Sequence, residues 1–526
     1  IGDSRPITLL EANGQVMAAG LLMRCDREDY CLDVPTEEAP RVLTWLRSLV
    51  DGYVATDDVY GRLPFLTAVR DLGAADAPQQ PLAAESGPFA KPYFIGAWSR
   101  KEPAGEALPR FVWEEPQDAP LRKTYLNETH RELGARMVPF GGWDMPVWYT
   151  GNLEEHTVVR QAAGLFDVSH MGCWDVSGPE AAAFLNLVMV NDVYTLEVGQ
   201  SQYSAFFDVD GIPMDDLMVY RMGEEHYLVV VNASNNDKDW AWVQAVLKGE
   251  ALLDPSRPWV RWPSKGGVVV RDLRAASAGK DCRAELAIQG PKSKDILLAL
   301  GGSEADLAKI KALPWAGVTH VTLGEFDLIV TRTGYTGERV AYELFVHPDR
   351  LVDFWKCLLA VGEPLGLKPC GLAARDSLRT EAGLPLYGHE MAGPLNLTMA
   401  DAGFGGYIKL YKPFFVGREA FIRREAGRKA AIVRFRVPEK GQPRPEQLDR
   451  LIDERGKVVG YVTSCAVDRE GFLLGQAYVD ERCQKEGTQL MALVTPRREP
   501  KPNRELAIGD RTQLPVPVVV LKRFPK

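Results

Sequence analysis

The feature that most constrains the fold is an internal repeat. A shift of 197 positions aligns residues 12–34 with residues 209–231 without a gap. Composition alone would give about one or two identities over such a window. The identical pairs are Gly14/Gly211, Met17/Met214, Arg24/Arg221, Glu28/Glu225, Tyr30/Tyr227, Val34/Val231 and, further along, Trp45/Trp242. We interpret the two segments as a partial duplication.

Each copy has the pattern of an antiparallel hairpin covered by a helix. A strand leads into an Asn-Gly turn at Asn13 or an Asp-Gly turn at Asp210, and two more strands follow. Amphipathic segments at 37–49 and 237–247 predict the covering helices.

Composition sets the class of protein. The 526 residues are enough for roughly three or four domains of ~150 residues, and 46% hydrophobic with 25% charged residues is ordinary globular usage. A formal net charge of -9 argues against a general nucleic-acid binder. No apolar run approaches the ~18 residues of a membrane span.

The eight cysteines are scattered without a Cys-x-x-Cys pair, which is typical of reduced thiols. We therefore expect a cytoplasmic protein, or one of the mitochondrial matrix if the source is eukaryotic. The seven histidines lack metal-site spacing, and neither G-x-G-x-x-G after a strand nor a Walker loop is present. The sequence thus indicates no metal, nicotinamide or ATP site.

The two copies differ in a pair of carboxylates. Asp215-Asp216 follows the turn of the second copy, where the first copy has Ala18-Ala19. Two acids at the head of an apolar strand point to opposite faces, so one of them must point inward, and a buried carboxylate needs a reason. The alternative is that both acids only decorate the turn.

Several motifs occur in the same order as in one known family. The principal ones are LGARMVPFGGWDMPVWYT at 133–150, EEHTVVRQAAGLFDVSHMG at 154–172, the Asp pair within 202–220, and TRTGYTGE at 331–338. Others are IQGP at 288–291, GLAARDSLRTEAG at 371–383, LYGHEM at 386–391, FVGREA at 415–420 and GYVTS at 460–464. From about residue 124 to the end, the chain resembles the aminomethyltransferase, or T protein, of the glycine cleavage system.

The resemblance implies a reaction. T proteins take an aminomethyl group from the lipoyl arm of a lipoylated carrier, the H protein, and release ammonia. The carbon is left bridging N5 and N10 of tetrahydrofolate, which serves as cosubstrate. A fixed carboxylate beside the reacting nitrogens would help as a general base and by stabilising positive charge. By resemblance and strand alternation we assign this role to Asp216, with Asp215 supporting the strand or turn from the other face.

The resemblance also implies which residues line the folate pocket. Those that match family positions are Tyr203, Asp216, Asn232, Tyr335, Glu343, Arg375 and Tyr387. Glu343 would accept paired N–H donors from the pterin, although Glu338 competes for this role because Arg339-Val340-Ala341 departs from the family pattern. Arg375 and Arg379 share one face of the predicted helix 371–382, so both could reach a carboxylate such as the folate tail.

Two rival functions share these features. One is another folate-dependent one-carbon transferase or a demethylase with a different donor, because such enzymes use the same scaffold. The other is a non-catalytic folate-binding assembly or regulatory factor, which usually has a Lys-Gly-Cys-Tyr-type motif that is absent here. For docking an acidic carrier, the basic cluster Arg423, Arg424, Arg428 and Lys429 is a candidate, although a solvated helix end explains it equally well.

We expect an α+β, multidomain T-protein-like fold, with ferredoxin-like antiparallel sheet subdomains around a central channel. Residues 1–72 would form a degenerate copy of the folate-binding subdomain. Eight prolines between 73 and 120 predict a linker. The folate-binding body would occupy 121–430, and a C-terminal β-barrel would occupy 431–526. We expect no contact with nucleic acid or membrane.

Overall fold

A computed structural model describes most of the chain. The described residues are 4–10, 16–25, 29–51, 55–57, 61–62, 68–73, 105–116, 119–262, 267–412, 414–495, 503–508 and 514–525. None of the helices among them has the length and apolar character needed to cross a membrane.

The N-terminal unit is an antiparallel three-stranded sheet with one helix. Its strands are β1 (Ser4–Leu10), β2 (Val16–Arg24) and β3 (Tyr30–Asp33), in that spatial order, and its helix is α1 (Ala39–Val50). Met17 and Ala18 of β2 pack against Val42 of α1 in a small core. A two-stranded ribbon follows, formed by β4 (Ala55–Asp57) and β5 (Gly61–Arg62).

The body begins where the connector ends. Its strands are β6 (Arg122–Lys123), β7 (Arg136–Phe140), β8 (Trp143–Trp148), β9 (Ala163–Asp167), β10 (Gly172–Ser177), β11 (Ser201–Phe207), β12 (Pro213–Gly223), β13 (His226–Val231), β14 (Val269–Asp272), β15 (Ala284–Gln289), β16 (Val318–Leu323), β17 (Phe326–Thr331), β18 (Ala341–Val346) and β19 (Leu367–Pro369). Its helices are α2 (Asn127–Glu132), α3 (Asn152–Gln161), α4 (Ala181–Val188), α5 (Asn236–Leu247), α6 (Ser293–Ala299), α7 (Glu304–Ala312), α8 (Leu351–Gly362), α9 (Leu372–Ala382) and α10 (Arg418–Ala426).

The elements of the N-terminal unit recur in the body at the spacing of the sequence repeat. Moved by 197 positions, β1 and α1 coincide end to end with β11 and α5, and β2 falls within β12. The two segments thus share one order of elements. The turn at Asn13-Gly14 lies outside the described residues, and the duplication and the domain boundaries remain our interpretation.

The connector leads onto the body. Residues 105–116 lie beside residues 250–260: the Leu108 amide donates to the Pro258 carbonyl at 2.7 Å, and the Leu252 amide donates to the Pro109 carbonyl at 2.8 Å. Arg110 adds an exposed ion pair with Asp210 at 2.7 Å. Most of the predicted linker, from 74 to 104, lies outside the described residues.

Two large sheets form the body. One has the order β11-β12-β13-β10-β14, and the other has the order β16-β17-β18-β15-β9-β19. Between them lies a shared core to which Tyr220 and Val230 of the first sheet and Ile329 and Phe345 of the second contribute. Apolar side chains of α4 and α5 cover the outer face of the first sheet, and those of α6, α7 and α8 cover that of the second. Both sheets therefore have two buried faces, and the site lies where they meet.

The C-terminal strands close into a barrel. They are β20 (Ala430–Arg436), β21 (Arg450–Ile452), β22 (Val458–Val467), β23 (Leu473–Asp480), β24 (Gln489–Leu493) and β25 (Val516–Leu521), in the closed order β20-β23-β22-β21-β24-β25. Phe435, Val462 and Val518 fill the interior. Helix α9 lies against β22 and β23, so the barrel supports the helix that carries Arg375. The expected α+β class with a C-terminal barrel is confirmed.

Candidate functional site

A cavity of about 360 Å³ lies at the junction of the two sheets, α9 and the loops that follow α9. All seven residues predicted for the pocket line it: Tyr203, Asp216, Asn232, Tyr335, Glu343, Arg375 and Tyr387. They come from β11, β12, the end of β13, the loop after β17, β18, α9 and the loop after α9. The structure thus brings together side chains separated by up to 184 positions, from 203 to 387.

The hairpin between β11 and β12 sets the direction of the Asp pair. The Asp208 carboxylate accepts hydrogen bonds from the amides of Asp210 and Ile212, both at 2.9 Å, and Gly211 takes a left-handed φ of 75°. Strand β12 then alternates between buried and partly exposed positions. Asp215 is therefore fully buried, whereas Asp216 lines the cavity.

Two polar side chains hold the Asp216 carboxyl. The Tyr203 hydroxyl donates to Oδ2 at 2.9 Å, and Asn232 Nδ2 donates to Oδ1 at 3.0 Å. Burial, and next the charge of Asp215, raise the pKa of Asp216 to about 7. A carboxyl with this pKa can take up or release a proton near neutral pH, as a general base requires.

Asp215 anchors the same strand from the opposite face. Its carboxyl accepts from the Asn232 amide at 2.8 Å and from the side chains of Asn232 and Asn235 at 2.9 and 2.5 Å. Asn232 therefore bridges both acids of the pair. Supporting the strand is the role predicted for Asp215.

Asp239 on α5 is a third acid of this cluster. It is fully buried, and no N–H or O–H group of the described residues donates to its carboxyl. Asp215 lies close enough for its charge to act on the Asp239 carboxyl. Burial, and next Asp215, raise the pKa of Asp239 well above its usual range.

Glu343 rather than Glu338 belongs to the cavity. Glu343 Oε2 accepts from the Tyr220 hydroxyl at 3.0 Å and from Thr333 Oγ1 at 2.5 Å. Glu338 instead forms an ion pair with Arg160 at 2.7 Å and does not line the cavity. The geometry therefore favours Glu343 over Glu338 as the glutamate of the pocket.

The two arginines of α9 have different surroundings. The Arg375 guanidinium lies 5.5 Å from the centre of the Tyr335 ring and makes none of the ion pairs found in the described residues. Arg379 is 1% exposed and pairs with Asp376 and Glu390, each at 2.7 Å. The expectation that Arg379 also reaches a ligand carboxylate is therefore wrong, because its guanidinium already forms an ion pair with the buried Glu390.

Two further tyrosines form part of the cavity wall. The Tyr335 hydroxyl donates to the Pro385 carbonyl, which fixes the ring beside Arg375. Lys238 Nζ lies 3.2 Å from the Tyr387 hydroxyl and 4.9 Å from the centre of its ring. Phe404 and Tyr407 complete an aromatic surface suited to a flat heterocycle.

Some of the residues that line the cavity were not predicted from the sequence. Glu285 on β15 and Tyr220 on β12 both line the cavity, and Trp315 lies at its exposed rim. Glu285 could have been predicted as a site residue, since it is the one acid in the buried strand sequence AELAIQ. Nothing in the local pattern distinguishes Trp315 from an ordinary exposed loop residue.

Two of the four residues of the predicted basic cluster are paired with acids. Arg423 pairs with Glu419 at 3.4 Å, Arg428 pairs with Glu425 at 2.6 Å, and Arg424 donates to the Asn396 carbonyl. These contacts favour the solvated helix end over a dedicated docking surface. Among the described residues, no group of three or more His, Cys, Asp or Glu side chains is placed to hold a metal ion.

Comparison with known proteins gives the same family from sequence and from structure. The GCVT N-terminal domain family matches residues 126–412. The aminomethyltransferase of Symbiobacterium thermophilum is 41% identical over 347 residues, which cover 65% of this chain and 85% of that protein. The aminomethyltransferase of Streptomyces coelicolor is 42% identical over 374 residues, which cover 70% of this chain and 92% of that protein.

A solved structure indicates the same family as these sequence relatives. The glycine cleavage system aminomethyltransferase T of Bartonella henselae superposes with a TM-score of 0.62 at 27% identity, over 76% of this chain and 96% of that chain. The family match spans more than half of the chain, and the relatives are covered almost throughout. The chain therefore belongs to the aminomethyltransferase, or T protein, family of the glycine cleavage system.

Proposed function

We propose that this protein transfers a one-carbon unit from an aminomethyl-lipoyl carrier to tetrahydrofolate and releases ammonia. The observation that carries the proposal is the convergence of Asp216, Glu343 and Arg375 on one aromatic-walled cavity of about 360 Å³. A volume of that order suits the bicyclic end of a folate.

Asp216 is the proposed catalytic carboxylate. As a folate nitrogen attacks the carbon that is leaving sulfur, positive charge develops and an N–H proton must depart. A carboxylate held by Tyr203 and Asn232 at 2.9 and 3.0 Å is fixed in place to stabilise that charge and to accept the proton. Its pKa of about 7 matches this role at neutral pH.

Glu343 is proposed to bind the pterin edge. The hydroxyls of Tyr220 and Thr333 both donate to Oε2, so they fix the orientation of the carboxyl. A carboxylate oriented in this way can accept two parallel N–H donors from a heterocycle. The rings of Tyr203, Tyr335 and Tyr387 would line the ring faces or edges.

Arg375 is proposed to bind an anionic part of the folate. Its guanidinium stacks near Tyr335 and makes no ion pair within the described residues, so its charge is available to a ligand carboxylate. The proposed donor is the lipoylated H protein, and this assignment rests on the family alone.

The test compares donors. Methylenetetrahydrofolate formation is measured with aminomethyl-loaded lipoylated carrier. Methyltetrahydrofolate formation is measured separately with free methylated amines, because a methyl carbon cannot reach the methylene level without an oxidant. Turnover that requires the carrier supports aminomethyl transfer. Turnover with free methylated amines alone would indicate a demethylase, and folate binding without turnover of any donor would indicate a binding factor.

A further inference from the structure

Glu285 is a second carboxyl at the Glu343 end of the cavity. It lies on β15 and is 4% exposed, yet it lines the cavity. In the antiparallel register Ala287 pairs with Glu343, and Glu285 lies two residues before Ala287 on the same face. The two glutamates are therefore diagonal neighbours on adjacent strands.

The Glu285 carboxyl lacks the support that Glu343 has. Its Oε2 atom is buried and has no hydrogen-bond partner among the described residues. Buried polar atoms are almost always paired in native proteins, and an unpaired one costs free energy. In a cavity wall, an unpaired oxygen is placed to contact a bound ligand.

The surroundings of Glu285 favour its neutral form. The charged or titratable groups that face it are Glu343 on β18, Asp167 on β9, Tyr220 on β12, Cys173 on β10 and Arg375 on α9. Burial, and next the Glu343 carboxyl, raise the pKa of Glu285 well above its usual range, although Arg375 opposes this. A protonated carboxyl is a hydrogen-bond donor as well as an acceptor.

We propose that Glu285, in its acid form, donates a hydrogen bond to the oxo group of the bound pterin, beside the N–H donors that Glu343 accepts. The proposal rests on the proposed folate-binding function and adds a specificity residue to it. One ionised and one protonated glutamate would together match an edge that presents N–H donors next to a carbonyl acceptor. Such a pair would discriminate against a ring whose oxo group is replaced by an amino group.

The test measures binding of tetrahydrofolate and of its 4-amino counterpart to the full chain by calorimetry. In Glu285→Leu, we expect tetrahydrofolate to bind about tenfold or more weakly, and the preference for the 4-oxo ring to shrink. In Glu285→Gln, which keeps a neutral donor at the same place, affinity should stay within about threefold of the wild type.

Thermal unfolding of the ligand-free variants separates a ligand role from a structural one. Because Oε2 has no hydrogen-bond partner in the part of the chain that the structure describes, Glu285→Leu should raise Tm, whereas replacing a glutamate that supports the fold would lower it. Tight tetrahydrofolate binding by Glu285→Leu with the ring preference intact would overturn the proposal, as would a lower Tm.

If the leucine variant does not fold, the tetrahydrofolate affinity of Glu285→Gln alone tests the proposal. Retained affinity then supports a neutral donor, and a loss of tenfold or more would show that the ionised carboxylate is needed, which contradicts the proposal. If the wild type itself bound no tetrahydrofolate, the proposed function would fail first and this assignment with it. The two failures are therefore distinguishable.

Discussion

At the scale of residues, the site depends on the unequal surroundings of neighbouring acids. Asp215 accepts hydrogen bonds from two asparagines, whereas Asp216 faces the cavity and accepts hydrogen bonds from Tyr203 and Asn232. The same residue type thus serves as a structural anchor at one position and as a titrating group at the next. Pairs of titratable groups with different environments are typical of enzyme sites.

The pH dependence of turnover follows from Asp216. Burial and Asp215 raise its pKa to about 7, and the proposed base acts in its deprotonated form. We therefore expect kcat/KM to rise with pH by up to about tenfold per unit below pH 7 and to level off above it. A profile without an inflection between pH 6 and 8, measured with loaded carrier in excess, would contradict the assignment.

The two candidate glutamates can be compared directly. Glu343→Gln should weaken tetrahydrofolate binding by about ten- to hundredfold, because a carboxylate that accepts two N–H donors is lost. Glu338→Gln is the matched control and should leave affinity within about twofold, since Glu338 pairs with Arg160 away from the cavity. Equal effects of the two changes on calorimetric affinity would show that the wrong glutamate was chosen.

At the scale of elements, regular periodicity predicted several helices and separated the two acids of the Asp pair, whereas the pocket residues were predicted from the family resemblance. The predicted helices 37–49, 237–247 and 371–382 are observed as α1 (Ala39–Val50), α5 (Asn236–Leu247) and α9 (Leu372–Ala382). Alternation along β12 correctly predicted that the side chains of Asp215 and Asp216 point to opposite faces of the strand. Local patterns succeed here because each depends only on neighbouring residues.

Partners from distant segments could not be predicted in this way. Helical spacing put Arg375 and Arg379 on one face of α9. It could not show that Arg379 forms an ion pair with Glu390 and donates a hydrogen bond to the Ser464 hydroxyl of the barrel at 2.8 Å. Glu285 was missed for a related reason, because its proximity to Glu343 arises from strand pairing. Both cases concern tertiary contacts that no local window contains.

The Arg379 ion pair has a measurable consequence for stability. Arg379→Ala leaves Glu390 buried without its counter-charge and should lower the free energy of unfolding by about 3 to 5 kcal/mol. Arg423→Ala on α10 is the control, because its exposed pair with Glu419 contributes less than about 1 kcal/mol. Similar denaturation midpoints for the two variants would show that the Arg379 pair does not hold α9 to the following loop and barrel.

At the scale of the whole molecule, the described residues that line the cavity all belong to the body. All residues lining the cavity fall between Met171 and Tyr407, while the N-terminal unit has Ala18-Ala19 where the body has its acids. The unit therefore has the corresponding strands without the carboxylates that the proposed chemistry uses.

Deleting the N-terminal unit should leave the chemistry in place. A chain without residues 1–72 retains residues 105–116 of the connector, which hydrogen-bond to the body. We expect its rate of methylenetetrahydrofolate formation to stay within about twofold of that of the full chain, since no cavity residue is removed. A complete loss of turnover in a truncated chain with an unchanged circular dichroism spectrum would show that the unit contributes to catalysis.

The most direct measurement is turnover and folate binding by Asp216→Asn. We expect methylenetetrahydrofolate formation to fall by about 10² to 10⁴, because the amide can neither accept the proton nor stabilise the charge, while tetrahydrofolate affinity stays within a fewfold. Asp210→Asn, in the exposed turn of the same hairpin, serves as the matched control. Wild-type turnover by Asp216→Asn would contradict the central claim that this carboxyl carries the chemistry.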